Sequence, residues 1–229
     1  MRQTPARQLL DGWEAFRGDP MPVRAAALAA LGRDVPLAEA MRWSIARRDL
    51  ALFDLRAQVF GESLDAVTQC PNCSEQLEMQ FTLSQIRPHG AAEPDVEFRA
   101  LLVDGAGVSC RLPNSEDLLA VMSDGDVAGA RHHLIERCID ADSQELREHA
   151  AALLAPESAD VHLHLTCPSC DHAWRAAFDI AMFVWRELDE WAQRTLREIH
   201  VLASAYGWTE DAILQLTARR RQTYVEMIR

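Results

Sequence analysis

The chain carries one pattern twice: Ala66-Val67-Thr68-Gln69-Cys70-Pro71-Asn72-Cys73 and Val161-His162-Leu163-His164-Leu165-Thr166-Cys167-Pro168-Ser169-Cys170. Apolar and polar residues alternate up to each Cys-Pro-x-Cys. The alternation resumes beyond it, at Leu77, Met79 and Phe81 in the first copy and at Trp174, Ala176 and Phe178 in the second. A period of two on both sides of a tight turn predicts a β-hairpin with the cysteines at its tip. Two thiolates in one such turn can reach the same cation, and the proline presets φ for the turn. Two turns brought face to face make a closed tetrahedral site of four thiolates, the geometry of a zinc ribbon. Cys70, Cys73, Cys167 and Cys170 are therefore the expected metal ligands, with one structural Zn2+ per chain. Many such turns place Gly after the second Cys. Here Ser74 and Asp171 stand there, and of these Asp tolerates a left-handed backbone better than Ser.

Ordinary ribbons separate the two pairs by about 15–20 residues, whereas 93 residues lie between Cys73 and Cys167. The closure entropy of a loop grows only logarithmically, so a fivefold extension costs about 1.5 kcal/mol. A structural zinc contributes on the order of 10 kcal/mol. One shared ion is thus affordable if the insert folds with its ends together. A pair of disulfides suits neither a cytosolic chain nor this spacing. A redox motif would want one such unit before a helix. His162, His164 and His172 are not needed as ligands and are expected to face solvent, while Cys110 and Cys138 have no partner at ligand spacing and are expected to be buried as small hydrophobes.

On either side of the paired units the period is helical. Leu9, Leu10, Trp13 and Phe16 recur at helical spacing up to Gly18-Asp19-Pro20. Pro22 can open a second helix, with Val23 to Leu31 rich in Ala and Gly32 as its stop. A third helical region runs from about Pro36 to Phe60 and closes at Gly61. After the second unit one long helix starts at Ile180, with Val184, Trp185, Leu188, Trp191, Ala192, Thr195, Leu196, Ile199 and Leu202 on one stripe, and ends at Tyr206-Gly207. Thr209 and Thr217 are the expected caps of two further helices. Between the units, Arg87 to Asp95 has the composition of an exposed connection. Val96 to Val103 and Val108 to Leu112 suggest a second hairpin around Asp104-Gly105. Helices are then expected at about Ser115 to Met122, Val127 to Cys138 and Ser143 to Leu154, the last with Asp142 and Glu145 as a capping box. The fold class is α+β, mostly helical. Residues 1–61 form an N-terminal helical region, 62–179 a split zinc ribbon with an α/β insert at about 84–159, and 180–229 the C-terminal helices.

The 229 residues are 48% hydrophobic and 25% charged, ordinary for a chain with a real core. No apolar run approaches the roughly 20 residues of a membrane span, and Met1 to Leu10 lacks the apolar region of a secretory signal, so a cytoplasmic location is expected. Every cation is Arg, and the net charge is −12. Residues 61–180 hold 7 Arg against 21 acids. That segment repels a phosphate backbone and an anionic membrane alike, so neither nucleic acid nor membrane is an expected partner. A rival class, a zinc ribbon acting in transcription or other nucleic-acid binding, would require a basic face near the knuckles. Four thiolates leave no open position for a catalytic water. There is no Gly-rich phosphate loop, G-x-S-x-G or H-E-x-x-H, and His132 with Glu136 has no third ligand. No catalytic residue, cofactor site or small-molecule substrate is expected. Of the C-terminal aromatic residues, Trp208, just past a helix-ending Gly, is the one expected to face a partner, and Arg219-Arg220-Arg221 is expected to be a solvated face.

The ordered combination of several segments resembles the T4-like phage baseplate hub assembly chaperones and related baseplate proteins of contractile injection systems. These segments are Arg48-Asp49-Leu50-Ala51-Leu52 through Phe60-Gly61, the Cys70 knuckle, Cys110-Arg111-Leu112-Pro113-Asn114-Ser115-Glu116-Asp117-Leu118, the Cys167 knuckle, and Trp185-Arg186-Glu187-Leu188-Asp189 through Ala205-Tyr206-Gly207-Trp208-Thr209-Glu210. They span roughly residues 40 to 229. The resemblance implies a non-enzymatic protein that helps to build a baseplate or its hub, as an assembly factor or a minor component. It implies baseplate or hub proteins as partners and the zinc as a staple at the base of the insert.

Overall fold

The structure is a computed structural model, and it describes residues 6–88, 99–103, 105–154 and 161–228. Among the described residues it is a mixed helix and strand fold, 59% helical with small sheets, so the helical majority expected from the sequence holds. The chain opens with helices α1 (Ala6–Phe16) and α2 (Met21–Arg33), a single turn α3 (Leu37–Ala40) and α4 (Ile45–Phe60). Strands β1 (Ser63–Gln69) and β2 (Gln76–Thr82) follow, then the short α5 (Leu83–Ile86). The intervening lobe contains β3 (Arg99–Val103), β4 (Ala106–Cys110), α6 (Ser115–Val121), α7 (Val127–Cys138), β5 (Ile139–Asp140) and α8 (Gln144–Leu154). The second hairpin is β6 (Val161–Thr166) and β7 (Ala173–Phe178), and the chain continues through α9 (Ile180–Tyr206), α10 (Glu210–Leu214) and α11 (Ala218–Ile228).

Two apolar clusters organise the described residues. The larger joins Leu9 and Trp13 of α1, the alanines of α2, Leu52, Phe53 and Leu55 of α4, Leu64 and Leu83 from the first hairpin region, and the inner stripe of α9 from Ile180 to Leu202. At about 1.5 Å per residue the 27-residue α9 is roughly 40 Å long, long enough to support both chain halves. The smaller cluster belongs to the lobe: Val103, Val108, Cys110, Ile135, Cys138, Ile139, Ala150 and Leu154. Cys110 and Cys138 are thus buried core residues, as their isolation in the sequence implies.

The hairpins grow out of the larger cluster. β1 pairs with β2 from Ser63↔Thr82 to Gln69↔Gln76, and β6 pairs with β7 from Val161↔Phe178 to Thr166↔Ala173. They remain two separate two-stranded sheets. In each, the expected alternation separates a half-buried face from an exposed one. At the base, the rings of Phe81 and Phe178 meet edge to face at 6.0 Å, and Phe178 lies 5.3 Å from Phe183 of α9. This contact joins both hairpins to the long helix.

The chain departs from the sequence expectations at several places, each with a local cause. Gly32 does not end α2; the helix runs to Arg33 and is closed by Asp34 in the left-handed region at φ 56°. Gly32 is instead a point of close approach, since a Cβ there would lie 3.2 Å from Leu55 Cβ. The helical region expected from Pro36 to Phe60 is divided into α3 and α4. Ser44 caps α4 by accepting from the Arg47 N–H, and it pairs with Asn114 of the lobe in an isolated bridge. Helix α8 begins one residue later than an Asp142 box would place it, because the Ser143 hydroxyl accepts from the Leu146 N–H. Strand β5 was not foreseen; two residues pairing with Ser109 and Cys110 are too short for a periodic signal. On the α9 stripe, Leu196 is exposed. The expected strand at Val96 to Val103 is seen from Arg99, while residues 89–98 and Asp104 lie outside the described residues.

Candidate metal centre

Each knuckle is built by the same backbone bonds. The Cys70 N–H donates to the Glu75 carbonyl at 2.8 Å and the Ser74 N–H to the Cys70 carbonyl at 2.9 Å. In the second knuckle, Cys167 donates to His172 at 2.9 Å and Asp171 to Cys167 at 3.0 Å. Closing the turn this way requires the residue after the second Cys to be left-handed. Ser74 and Asp171 adopt it, at φ 61° and 55°, a cost of about 1–2 kcal/mol for each non-glycine residue.

The tips bring four sulfurs together. All four Sγ atoms of Cys70, Cys73, Cys167 and Cys170 lie within 4.8 Å of one another. Across the two knuckles Cys70 is 3.7 Å from Cys170 and Cys73 is 3.6 Å from Cys167. A tetrahedron with metal–sulfur bonds of about 2.3 Å has edges of roughly 3.8 Å, so the donor set fits one ion. The first cysteine of each turn is buried, Cys73 is exposed and Cys170 lies between. The Asn72 side chain, the His172 N–H and its sulfur neighbours lower the Cys170 thiol to about 6. For Cys73 the Glu75 N–H acts to lower the thiol, but the Cys170 sulfur, lost solvation and the sulfurs of Cys167 and Cys70 together push it up to about 12. Four thiolates so close repel one another, and a cation at their centre is what would let all four ionise together.

Of the remaining candidates, the histidines fall where the sequence places them, while Trp208 and Arg221 are more enclosed than expected. His162, His164 and His172 are exposed and outside the sulfur cluster, with the His172 ring stacked on Trp174 at 6.0 Å. His132 Nε2 lies 3.4 Å from Glu136 on an exposed helix face. Trp208 is half-buried, stacked on Tyr206 at 4.7 Å and edge-on to Tyr224 at 5.0 Å. The arginine run is divided. Arg219 and Arg220 are exposed, but Arg221 is buried and pairs with Glu198 of α9 at 2.8 Å, which corrects the expectation of a uniformly solvated face.

A second polar centre lies in the lobe, and no motif in the sequence announces it. Asp117 is fully buried and receives Arg111 Nη2 at 2.8 Å and Arg137 Nε at 2.9 Å. It also closes a capping box with Asn114, each side chain accepting the other's N–H at 3.0 Å. The same segment is stitched to the first helices: the Ile45 N–H donates to Pro113, the Ser115 N–H donates to Met41, and buried Arg48 donates to the Ser115 hydroxyl at 3.2 Å. Asn114-Ser115-Glu116-Asp117 carries a cap signal in the sequence, but nothing there shows that Arg111 and Arg137 converge on its Asp.

Among known proteins, residues 35–149 match the family model described as T4 bacteriophage base plate protein. No curated protein and no solved structure matches the chain. The matched stretch begins before α3 and covers α4, the first knuckle, the Asp117 seam and half of α8; the second knuckle lies beyond it.

Proposed function

The chain belongs to the T4 bacteriophage base plate protein family, and from that membership we propose that it is a non-enzymatic assembly factor or minor component of a contractile-tail baseplate. The match over residues 35–149 carries this reading. Its partners are baseplate or hub proteins of the same tail, met in the cytoplasm. The cysteine set holds one structural zinc, with the paired knuckles acting as a split ribbon. Soft thiolates in a tetrahedron suit zinc or iron. Zinc, which has no redox role, suits a staple, and when bound it supplies cross-linking alone because four thiolates fill its shell. Excess acid over residues 61–180 weighs against nucleic acid, and no helix among the described residues is long and apolar enough to cross a membrane.

The test is co-expression of the full chain with the subunits of its own tail gene cluster, followed by affinity capture and mass spectrometry. The expected result is a stoichiometric complex with a baseplate or hub subunit. Recovery of ribosomal or RNA polymerase partners alone would overturn the proposal. Finished particles that retain the chain identify a component, and particles that lack it identify an assembly factor.

A further inference from the structure

The two knuckles share their backbone bonds, yet only one of them sends a side chain onto a sulfur of the other among the described residues. Position three of each Cys-Pro-x-Cys is Asn72 in the first and Ser169 in the second. Asn72 Nδ2 donates to the sulfur of Cys170, on the opposite knuckle, at 3.6 Å across a sequence separation of 98 residues. Ser169 makes no such bond to a sulfur among the described residues. Asn72 is exposed, so core packing does not hold its side chain there; the sulfur is its visible partner.

We propose that Asn72 is a positioning residue of the metal centre, donating across the knuckle pair so that Cys170 is held as a ligand more firmly than Cys73. This rests on the reading that the four cysteines bind zinc. Four thiolates around Zn2+ leave a net charge of −2, and N–H donors to sulfur spread that charge and fix the direction of each ligand. Cys170 receives the Asn72 side-chain N–H from the opposite knuckle, whereas no side-chain N–H reaches the Cys73 sulfur among the described residues. Cys73 is exposed and Cys170 intermediate, whereas Cys70 and Cys167 are buried. Cys73 is therefore the ligand that lets go first, and the bond from Asn72 keeps the second knuckle closed on the ion while it does.

The experiment uses the full chain as purified with its zinc. Zinc transfer to excess EDTA is timed, and during transfer the thiols are trapped with iodoacetamide and located by peptide mass spectrometry. In the wild type, Cys73 should be alkylated before Cys170. Asn72→Ala, and the isosteric Asn72→Asp that lacks the N–H donor, should release zinc about tenfold faster or more and remove the difference between Cys73 and Cys170. Ser169→Ala should change neither. If Asn72→Ala does not fold, Asn72→Asp carries the comparison. Unchanged release and unchanged labelling order in the Asn72 variants would overturn the proposal while leaving the zinc site standing. All four cysteines becoming reactive together, with a lower Tm, would also overturn it, because that outcome means support of the turn and not of one ligand. A wild-type chain that carries no zinc would overturn both.

Discussion

Among the described residues, Asp117 is the carboxylate enclosed most completely, with 1% of its side chain exposed. Burial acts to raise its pKa, but the hydrogen bonds from Arg111, Asn114 and Arg137 hold it below the usual carboxylate range. A depressed folded pKa adds stability that is present above the unfolded value near 4 and lost as pH falls through the folded one. Acid denaturation should therefore steepen below about pH 4, and Asp117→Asn should flatten that part of the curve. The same substitution should cost on the order of 3 kcal/mol at neutral pH, because it leaves two guanidiniums short of a partner, measurable by urea unfolding. Cys138, beside this carboxylate at 3.7 Å, is pushed up to about 12 by burial and by Asp117. Cys138 should resist alkylation in the folded protein at pH 8, and rapid labelling there would show that the lobe core is open.

Beside the shared apolar cluster, single polar or close contacts between helices each make a separate prediction. On α4, Arg56 is buried and donates through Nε and Nη2 to the two carboxylate oxygens of Glu187 on α9, at 2.9 and 2.8 Å. Arg56→Lys cannot reproduce that fork and should lower stability by about 1–3 kcal/mol. Where α2 crosses α4, Gly32 lets Leu55 approach. Gly32→Val should cost about 1–3 kcal/mol through overpacking, seen as a lower Tm with unchanged helical circular dichroism at 20 °C. On α11, Arg221→Ala should free the last helix from α9, and hydrogen exchange should rise there but not after Arg219→Ala or Arg220→Ala. Most of these elements were legible in the sequence, because their apolar stripes and caps are local. Thr209 caps α10 and Thr217 caps α11 as expected, each accepting the N–H three residues on. What the period could not show is a helix interrupted for a distant partner. The break at Ser44 exists because Asn114 and Pro113 bond there, and no local pattern encodes that.

For the molecule as a whole, the lobe between the hairpins is tied down twice. One tie is the sulfur cluster at the hairpin tips. The other is the seam of Arg48, Ser115, Asn114 and Asp117 beside α3 and α4. The first was legible because Cys-Pro-x-Cys states its own chemistry, and the spacing of 93 residues was no obstacle on entropic grounds. The second was not, because Arg48 is an ordinary helix residue until folding brings it to Ser115, as Arg111 and Arg137 are until it brings them to Asp117. The double tie predicts an order of loosening: chelation should first expose the amides of β1, β2, β6 and β7 to exchange while α6 keeps its protection. Simultaneous loss across the lobe would show that the metal alone holds it. Everything turns on whether the four sulfurs share an ion. Elemental analysis of the chain purified without added metal, read beside its melting curve, should give one zinc per chain, with both the zinc and several degrees of Tm lost in Cys70→Ser or Cys167→Ser. A chain free of metal, melting at the same temperature with and without those cysteines, would contradict it.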